Sequence, residues 1–320
     1  MIRVMVTAPK GRMNSMYERK LVLGVCLVRA LLVCFLCLNG SAVNAQETER
    51  YPEGAEGIKA ADLPPPGFYW VSYNLWYSAT TLNDGNGNAL PAGFDAKVLA
   101  TVQRLVWMTE AKIFGANYGV SVIIPFVNTH LTVGEAGLDD NETGFGDIVV
   151  DQVLRWTQSN YDVGFGFGVF FPTGRRDFTR PALPGKDYYT FMPTLGVTYY
   201  VDKERRWAAS VLTHFEFQSK KGHIDVTPGD AFHFEWGISN SVAPFWEVGL
   251  VGYCQWQVTS DKGSAAVRPG VRDRVFAVGP EVDYFLARAG LVFKFRYETE
   301  LGAVDRPQGR LGLLTLIKIF

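Results

Sequence analysis

Charged residues are scarce in this sequence. Only 20% of its 320 residues are Asp, Glu, Lys or Arg, and the formal net charge is −1. A surface that binds nucleic acid needs clustered Lys and Arg, so we expect no nucleic-acid partner. Low charge together with 14% aromatic residues also excludes an intrinsically disordered chain, which would have the opposite composition.

Cysteine is rare too, and three of the four cysteines fall within the first 45 residues. That region has basic residues, then an apolar stretch from Leu21 to Leu38, then small residues ending at Ala45. This order is found in secretory signal peptides. We predict that residues 1–45 are a signal peptide, with Met16 as an alternative start. The other interpretation of the region is an uncleaved membrane anchor.

Long hydrophobic runs are missing from the rest of the chain. After Gln46, no apolar run approaches the roughly 18 residues that a transmembrane helix requires. Cys254 is the one cysteine left, so no internal disulfide is expected. An exported, aromatic-rich chain without a spanning helix is either periplasmic or an outer-membrane β-barrel.

Alternation of apolar and polar residues favours the barrel. Residues 46–66 form a polar, Pro-rich N-terminal region, and the alternation begins at Gly67. One strand-like stretch, 161–171, alternates apolar residues with glycines: Val163, Phe165, Phe167, Val169 and Phe171 against Gly164, Gly166 and Gly168. Another, 67–78, has an apolar and aromatic face opposite a polar one: Tyr69, Val71, Tyr73, Leu75 and Tyr77 against Ser72, Asn74 and Ser78. Successive side chains of a strand point to opposite faces, so we expect apolar faces toward lipid and polar or glycine faces toward the lumen.

The lengths of the connections point the same way. Twelve strands are predicted near residues 67–78, 97–109, 116–127, 144–157, 161–173, 188–202, 207–220, 230–243, 245–261, 272–287, 288–302 and 306–320. Long connections at 79–96, 128–143, 174–187, 221–229 and 262–271 alternate with short ones. Alternating long and short connections over an even strand count are typical of bacterial outer-membrane barrels, whose long loops face outside. We therefore predict an all-β fold, a transmembrane antiparallel up-and-down β-barrel of about 12 strands over residues 67–320.

The C-terminus fits this prediction with one departure. The chain ends in Phe320, the terminal residue typical of such barrels, while Lys318 stands where another apolar residue is usual. The expected partners are therefore outer-membrane lipid, a small-molecule solute, and the barrel-assembly machinery, which would recognise Phe320. The expected location is the cell outer membrane.

Several short motifs occur in an order that resembles a known family. They are Gly144-Phe145-Gly146-Asp147, Phe171-Pro172-Thr173-Gly174, Phe191-Met192-Pro193-Thr194-Leu195-Gly196-Val197-Thr198-Tyr199-Tyr200, Gly252-Tyr253 with Gln255, and Val278-Gly279-Pro280-Glu281. Over about Phe68 to Phe320 the chain is similar to the outer-membrane family named for the meta-pathway of phenol degradation. The resemblance implies a transporter-like barrel linked to aromatic or other apolar compounds, not an enzyme of phenol breakdown.

Residues that could carry catalysis or bind a metal give no recognisable pattern. The four histidines form no metal-binding motif, and no G-x-S-x-G sequence is present. His214 and Glu216, like His233 and Glu235, share a polar face, which suits either lumen hydrogen bonding or, less simply, catalysis or metal binding. We expect no cofactor, no metal and no enzyme activity.

Function is expected to reside in polar side chains that line the lumen. Eleven charged residues on polar faces are the candidates: Asp147, Asp151, Arg155, Glu216, Glu235, Glu247, Glu281, Asp283, Lys294, Arg296 and Glu298. Eight are acidic and three basic, so a conducting lumen is expected to prefer cations or neutral solutes. The predicted function is an outer-membrane channel for small solutes. Two alternatives stay open: the charges plug the barrel, or the barrel does not transport and its surface loops bind a partner.

Overall fold

The computed structural model describes residues 50–178 and 180–320. The predicted signal peptide, residues 1–45, lies outside the described residues. The strands described are β1 (Gly67–Leu82), β2 (Phe94–Ile113), β3 (Ala116–Val133), β4 (Leu138–Phe145), β5 (Val149–Thr157), β6 (Tyr161–Phe170), β7 (Thr190–Tyr200), β8 (Trp207–Gln218), β9 (Ala231–Ala243), β10 (Trp246–Gln257), β11 (Arg274–Leu286), β12 (Leu291–Val304) and β13 (Pro307–Ile319). Two short 3-10 helices, Gly134–Ala136 and Ala287–Ala289, form turns. Within the described ranges, no helix has the length and apolar character needed to cross a membrane.

The strands form one closed antiparallel barrel. Strands that follow one another in the chain pair, except that β4 and β5 both pair with β3, and β1 also pairs with β13, which closes the sheet. The outer part of β3 pairs with β4 and its other part pairs with β5, so β4 and β5 share one position in the wall. The wall therefore has twelve strand positions, and the predicted fold class is confirmed. Below, the turn end is the end where β1 begins, and the loop end is the opposite one.

One predicted connection is wrong. The sequence between 128 and 143 was expected to be a long loop, but β3 continues to Val133 and β4 begins at Leu138 after a single 3-10 turn. This hairpin carries polar side chains on both faces, with Asp139 and Asn141 exposed and Asp140 and Glu142 buried. A strand without an apolar face shows no hydrophobic alternation, so its sequence is indistinguishable from that of a loop.

The expected lipid face is clearest on β6. Phe165 and Phe167 are 42% and 40% exposed, whereas Gly164, Gly166 and Gly168 are buried on the opposite face. The outward phenyl rings form part of an apolar belt that includes the outward residues of neighbouring strands, such as Leu195 of β7. A closed barrel with such a belt satisfies all ladder hydrogen bonds within lipid.

On β1 the expected orientation is reversed. Tyr69 and Val71 are buried in the lumen, and the Tyr73 hydroxyl also points inward. The polar residues Ser72 and Asn74 face outward, where the side chain of Gln103 donates to Ser72. The inward tyrosines are accommodated because the hydroxyl groups of Tyr69 and Tyr73 donate to Pro65 and Glu56, which lie in the lumen.

Substitution of Phe167 by Arg tests the lipid face. We expect the variant to assemble poorly, because an outward Arg near the bilayer midplane costs about 2–4 kcal/mol. The measurement is heat-modifiable gel mobility of the membrane fraction, with Phe167→Leu as the matched apolar control. Normal folded mobility of the Arg variant would show that this face does not contact lipid.

Candidate functional site

The lumen is occupied by the N-terminal segment, defined here as residues 50–66. The segment contacts the wall near the loop end through Arg50, which hydrogen-bonds to the carbonyl of Tyr188 just before β7. It reaches the turn end at Pro65, whose carbonyl accepts a hydrogen bond from Tyr69 of β1. The segment therefore follows the barrel through most of its length. The sequence predicts only a polar, Pro-rich region before the barrel and does not predict that this region enters the lumen.

Carboxylates of the wall hold the backbone of the segment. Glu216 accepts the N–H groups of Arg50 and Tyr51 at 2.8 and 2.7 Å, and Glu235 accepts those of Ala55 and Glu56 at 2.9 and 2.7 Å. A carboxyl group has two oxygens that can accept, so one side chain can serve two neighbouring N–H groups. An irregular segment has no ladder partners for its backbone, so these carboxylates supply the acceptors that burial requires.

Basic residues of β12 hold the carbonyl groups. Arg296 donates to the carbonyls of Gly54 and Glu56, the second at 2.6 Å, and Lys294 donates to that of Ile58 at 3.2 Å. The same two cations pair with Glu281 of β11, at 2.8 Å for Arg296 and 3.1 Å for Lys294. Acidic side chains of the wall therefore accept from the N–H groups of the segment, and basic side chains donate to its C=O groups.

Glycines make the close fit possible. A Cβ added to Gly57 would overlap Glu281 and Arg296, and one added to Gly54 would lie 2.5 Å from Glu298. On the wall, a Cβ at Gly196 would lie 2.6 Å from the Cβ of Ala61, and one at Gly237 would lie 2.9 Å from the Gly57 carbonyl oxygen. Inward glycines of the wall therefore leave the space that the segment fills.

Substitution of Gly57 by Val should loosen the segment. The new side chain would separate Glu281 from Arg296, and overpacking of this kind costs about 1–3 kcal/mol. We expect trypsin to cut after Lys59 about tenfold faster than in the parent, because cleavage follows the population of the open form. Gly270→Val is the matched control, since a Cβ there meets nothing within 4 Å. Equal cleavage rates for all three proteins would contradict this account of the fit.

Two of the sequence motifs meet at the loop end. The Asp147 carboxylate accepts the backbone N–H of Gly174 at 2.7 Å and that of Lys186 at 2.7 Å. The same carboxylate pairs with the Arg50 guanidinium at 2.5 Å. Asp147 lies between β4 and β5, where backbone N–H groups hold its carboxylate in place at the loop end of the lumen. It contacts Arg50 of the segment there.

The two His–x–Glu pairs lie side by side, because His214 of β8 is opposite His233 of β9. Their rings stack at 4.7 Å, and the Tyr51 ring stacks on both. His233 lies 3.3 Å from Glu53 and 3.4 Å from Glu216. In the described part of the chain, no three His, Cys, Asp or Glu side chains are arranged to hold a metal ion.

The structure brings the predicted lumen residues together around the segment. Five contact its backbone: Glu216, Glu235, Glu281, Lys294 and Arg296. Three pair with its side chains: Asp147 with Arg50, Glu247 with Lys59 at 2.6 Å, and Arg155 with Asp62 at 3.9 Å. Glu298 is buried beside Gly54. Asp283 and Asp151 do not contact the segment directly. Asp283 pairs with Lys294 and Asp151 pairs with Arg104, and these two cations contact the segment.

The sequence did not identify the residues that these lumen side chains contact, nor two further wall residues that contact the segment. Arg50, Lys59 and Glu56 belong to the segment, and Arg104 of β2 lies 3.6 Å from Glu56. The hydroxyl of Tyr73 donates to Glu56 at 2.7 Å. None of these residues forms a motif. The one available signal was the pair of glycines, Gly54 and Gly57, in a segment that is otherwise polar.

The three longest loops at the loop end are tied to one another. Asp187 accepts the backbone N–H groups of Gly222 and His223 and contacts the His223 ring. Burial raises the pKa of Asp187, but its hydrogen bonds with His223 outweigh burial and leave the pKa below its ordinary value. In the next loop, Asp225 accepts from Ser264, and the Lys220 ammonium, with Ser264, holds the pKa of Asp225 well below its usual range. Side-chain contacts therefore connect these loops.

Solved structures of outer-membrane barrels are similar to this chain. The outer-membrane channel COG4313 from Pseudomonas putida F1 has the same fold, with a TM-score of 0.73 at 14% identity over 85% of this chain and 100% of that one. The transport unit of the autotransporter AIDA-I from Escherichia coli gives 0.48 at 11% identity over 90% and 96% of the two chains. The CymD monoaromatic hydrocarbon channel gives 0.42 at 9% over 80% and 89%. No curated protein matches this sequence.

The fold and its apolar belt are those of an outer-membrane barrel, and the family is shown by the sequence itself. A family model described as "Putative MetA-pathway of phenol degradation" matches residues 79–315, which is most of the chain. This protein is therefore an outer-membrane β-barrel that belongs to that family.

Proposed function

We propose that the protein is an outer-membrane channel for small solutes whose lumen is closed by its own N-terminal segment. The observation that carries the proposal is the type of contact that holds the segment. Its backbone N–H and C=O groups are bound by acidic and basic side chains, namely Glu216, Glu235, Lys294 and Arg296. Water can replace such partners, so the segment can leave without unfolding the wall.

Solutes of the aromatic or otherwise apolar class are the proposed cargo. The description of the family supports this class. In this proposal the loop end faces outside and both chain ends lie on the periplasmic side, as in other even-stranded barrels. An epitope inserted near Asn86 or Asp139 would then be reachable by antibody on intact cells. The proposal assigns no catalytic role to the protein.

A reversible lock on the segment tests the proposal. Ala61→Cys with Gly196→Cys, in a Cys254→Ser background, brings together two Cβ positions 2.6 Å apart. A slight outward shift of the segment reaches the usual Cβ separation of a disulfide, about 3.8 Å. We expect the oxidised protein in a planar bilayer to conduct far less than the reduced protein. The single variant Ala61→Cys is the control, because it cannot form the disulfide.

The alternative function makes the opposite prediction. If the barrel only displays its linked outer loops to a partner, oxidation and reduction of the cysteine pair leave conductance unchanged at a low value. Deletion of the gene would then cause no uptake defect.

We also propose that Phe320 is recognised by the barrel-assembly machinery. Its ring is exposed, and its backbone N–H bonds to the carbonyl of Phe68 on β1, next to the seam. Phe320→Ala should lower the amount of assembled barrel in the membrane fraction, whereas Phe114→Ala, another exposed ring at the turn end, should leave it unchanged. Equal yields would exclude this role for Phe320.

A further inference from the structure

The side chain of Arg50 occupies a site with the features of an organic-cation binding site. Its guanidinium pairs with Asp147 at 2.5 Å and donates to the Tyr188 carbonyl at 2.7 Å. The guanidinium carbon lies 4.8 Å from the ring centre of Tyr188 and 5.3 Å from that of Phe170. A carboxylate beside two aromatic faces is the arrangement that proteins use to bind ammonium and guanidinium groups.

The site is built by the wall and not by the segment. Asp147 is fixed by the N–H groups of Gly174 and Lys186, and Phe170 and Tyr188 are both buried. Only Arg50 comes from the segment, and only 3% of its side chain is exposed. If the segment leaves, the carboxylate and both rings stay in place at the loop end of the lumen. The vacated position would then present a preformed negative and aromatic site.

We propose that this site recognises an organic monocation of the guanidinium or alkylammonium class, and that Arg50 is a tethered ligand that competes with it. The inference rests on the proposed function, because it makes occupation of the site the event that releases the outer end of the segment. A cation bound here displaces Arg50 and leaves the Arg50 and Tyr51 N–H groups held only by Glu216. The class of solute admitted is thereby extended to compounds that carry both an apolar body and one positive charge.

Competition sets the expected affinities. A ligand on a short tether acts at an effective concentration in the millimolar range, so the parent should bind a free cation much more weakly than a variant without Arg50. Arg50→Ala removes the tethered ligand and leaves every wall residue unchanged. Because residue 50 lies outside the strands, this variant should assemble like the parent.

The first measurement is calorimetric titration of the purified barrel with ethylguanidinium, which matches the end of an Arg side chain. We expect saturable binding to Arg50→Ala, at least tenfold weaker binding to the parent, and loss of binding in Arg50→Ala with Asp147→Asn. Neutral ethylurea, which has nearly the same shape, should not bind. Since Asp147 also holds two backbone N–H groups, Arg50→Ala with Phe170→Leu serves as a second variant, with an expected loss of about fivefold.

The second measurement is bilayer conductance of the parent with and without a saturating concentration of ethylguanidinium, and it separates the two proposals. Binding without any change in conductance would support the cation site and overturn the gating role of the segment. Conductance that responds to the disulfide lock, together with equal binding of ethylguanidinium and ethylurea, would support the channel and overturn the cation site. Equal affinity of the parent and Arg50→Ala would also overturn it, because Arg50 would then not compete.

Discussion

Deletion of residues 50–63 should convert a nearly closed barrel into an open pore. The deletion removes all the chain that fills the lumen from Arg50 to Leu63 but keeps Pro65, which bonds to Tyr69 at the turn end. Conductance depends on the free cross-section, so we expect a severalfold increase in single-channel conductance. We also expect more uniform channel openings, because the part of the segment that could enter and leave the lumen is removed.

The wall should survive the deletion. Arg296 and Lys294 keep their partner Glu281, and Arg104 keeps Asp151 at 2.8 Å. Water can take the hydrogen bonds that the segment made to Glu216 and Glu235. Heat-modifiable gel mobility equal to that of the parent would verify assembly. An assembled deletion variant that conducts no better than the parent would show that the segment does not close the channel.

The barrel was predictable because its signals are local. Alternation along β6 places Phe165 and Phe167 on one face and three glycines on the other, and this depends only on residues next to each other in sequence. The lengths of the connections between strands are also local features of the sequence, and their long and short alternation indicated an even number of strands. The same local signal failed in the β3–β4 hairpin, where Asp139 to Thr143 have no apolar face to alternate.

The occupied lumen was not predictable, because its contacts join distant parts of the chain. Ala55 and Glu235 are 180 residues apart in sequence, and Ile58 and Glu281 are 223 apart. No local pattern indicates that a carboxylate on a strand will accept a backbone N–H from a segment so far away. The inward face of β1 follows from the same cause, since Tyr73 finds its partner in Glu56.

These contacts also change which charges can set ion selectivity. Glu281 and Asp283 were natural candidates on sequence grounds, but both are paired with Lys294, and Glu281 also with Arg296. Neutralising them would leave two buried cations without carboxylate partners and disturb the wall. Glu216 has only the His233 ring, at 3.4 Å, as a basic wall partner, and Glu235 has no ion-pair partner among the described contacts. Both mainly hold segment backbone.

In the barrel lacking residues 50–63, Glu216→Gln with Glu235→Gln should sharply reduce cation selectivity. Both carboxylates then face water in the pore, and two unit charges within about 8 Å of a passing ion change its energy by about 1 kcal/mol in water. The change has opposite sign for anions, so the cation-to-anion permeability ratio should fall by about tenfold or more. Reversal potentials under a KCl gradient measure this ratio. Glu110→Gln with Asp139→Asn removes the same charge from exposed positions and should leave the ratio unchanged. An anion-selective deletion variant, or a ratio insensitive to Glu216 and Glu235, would show that these carboxylates do not set the selectivity of the lumen.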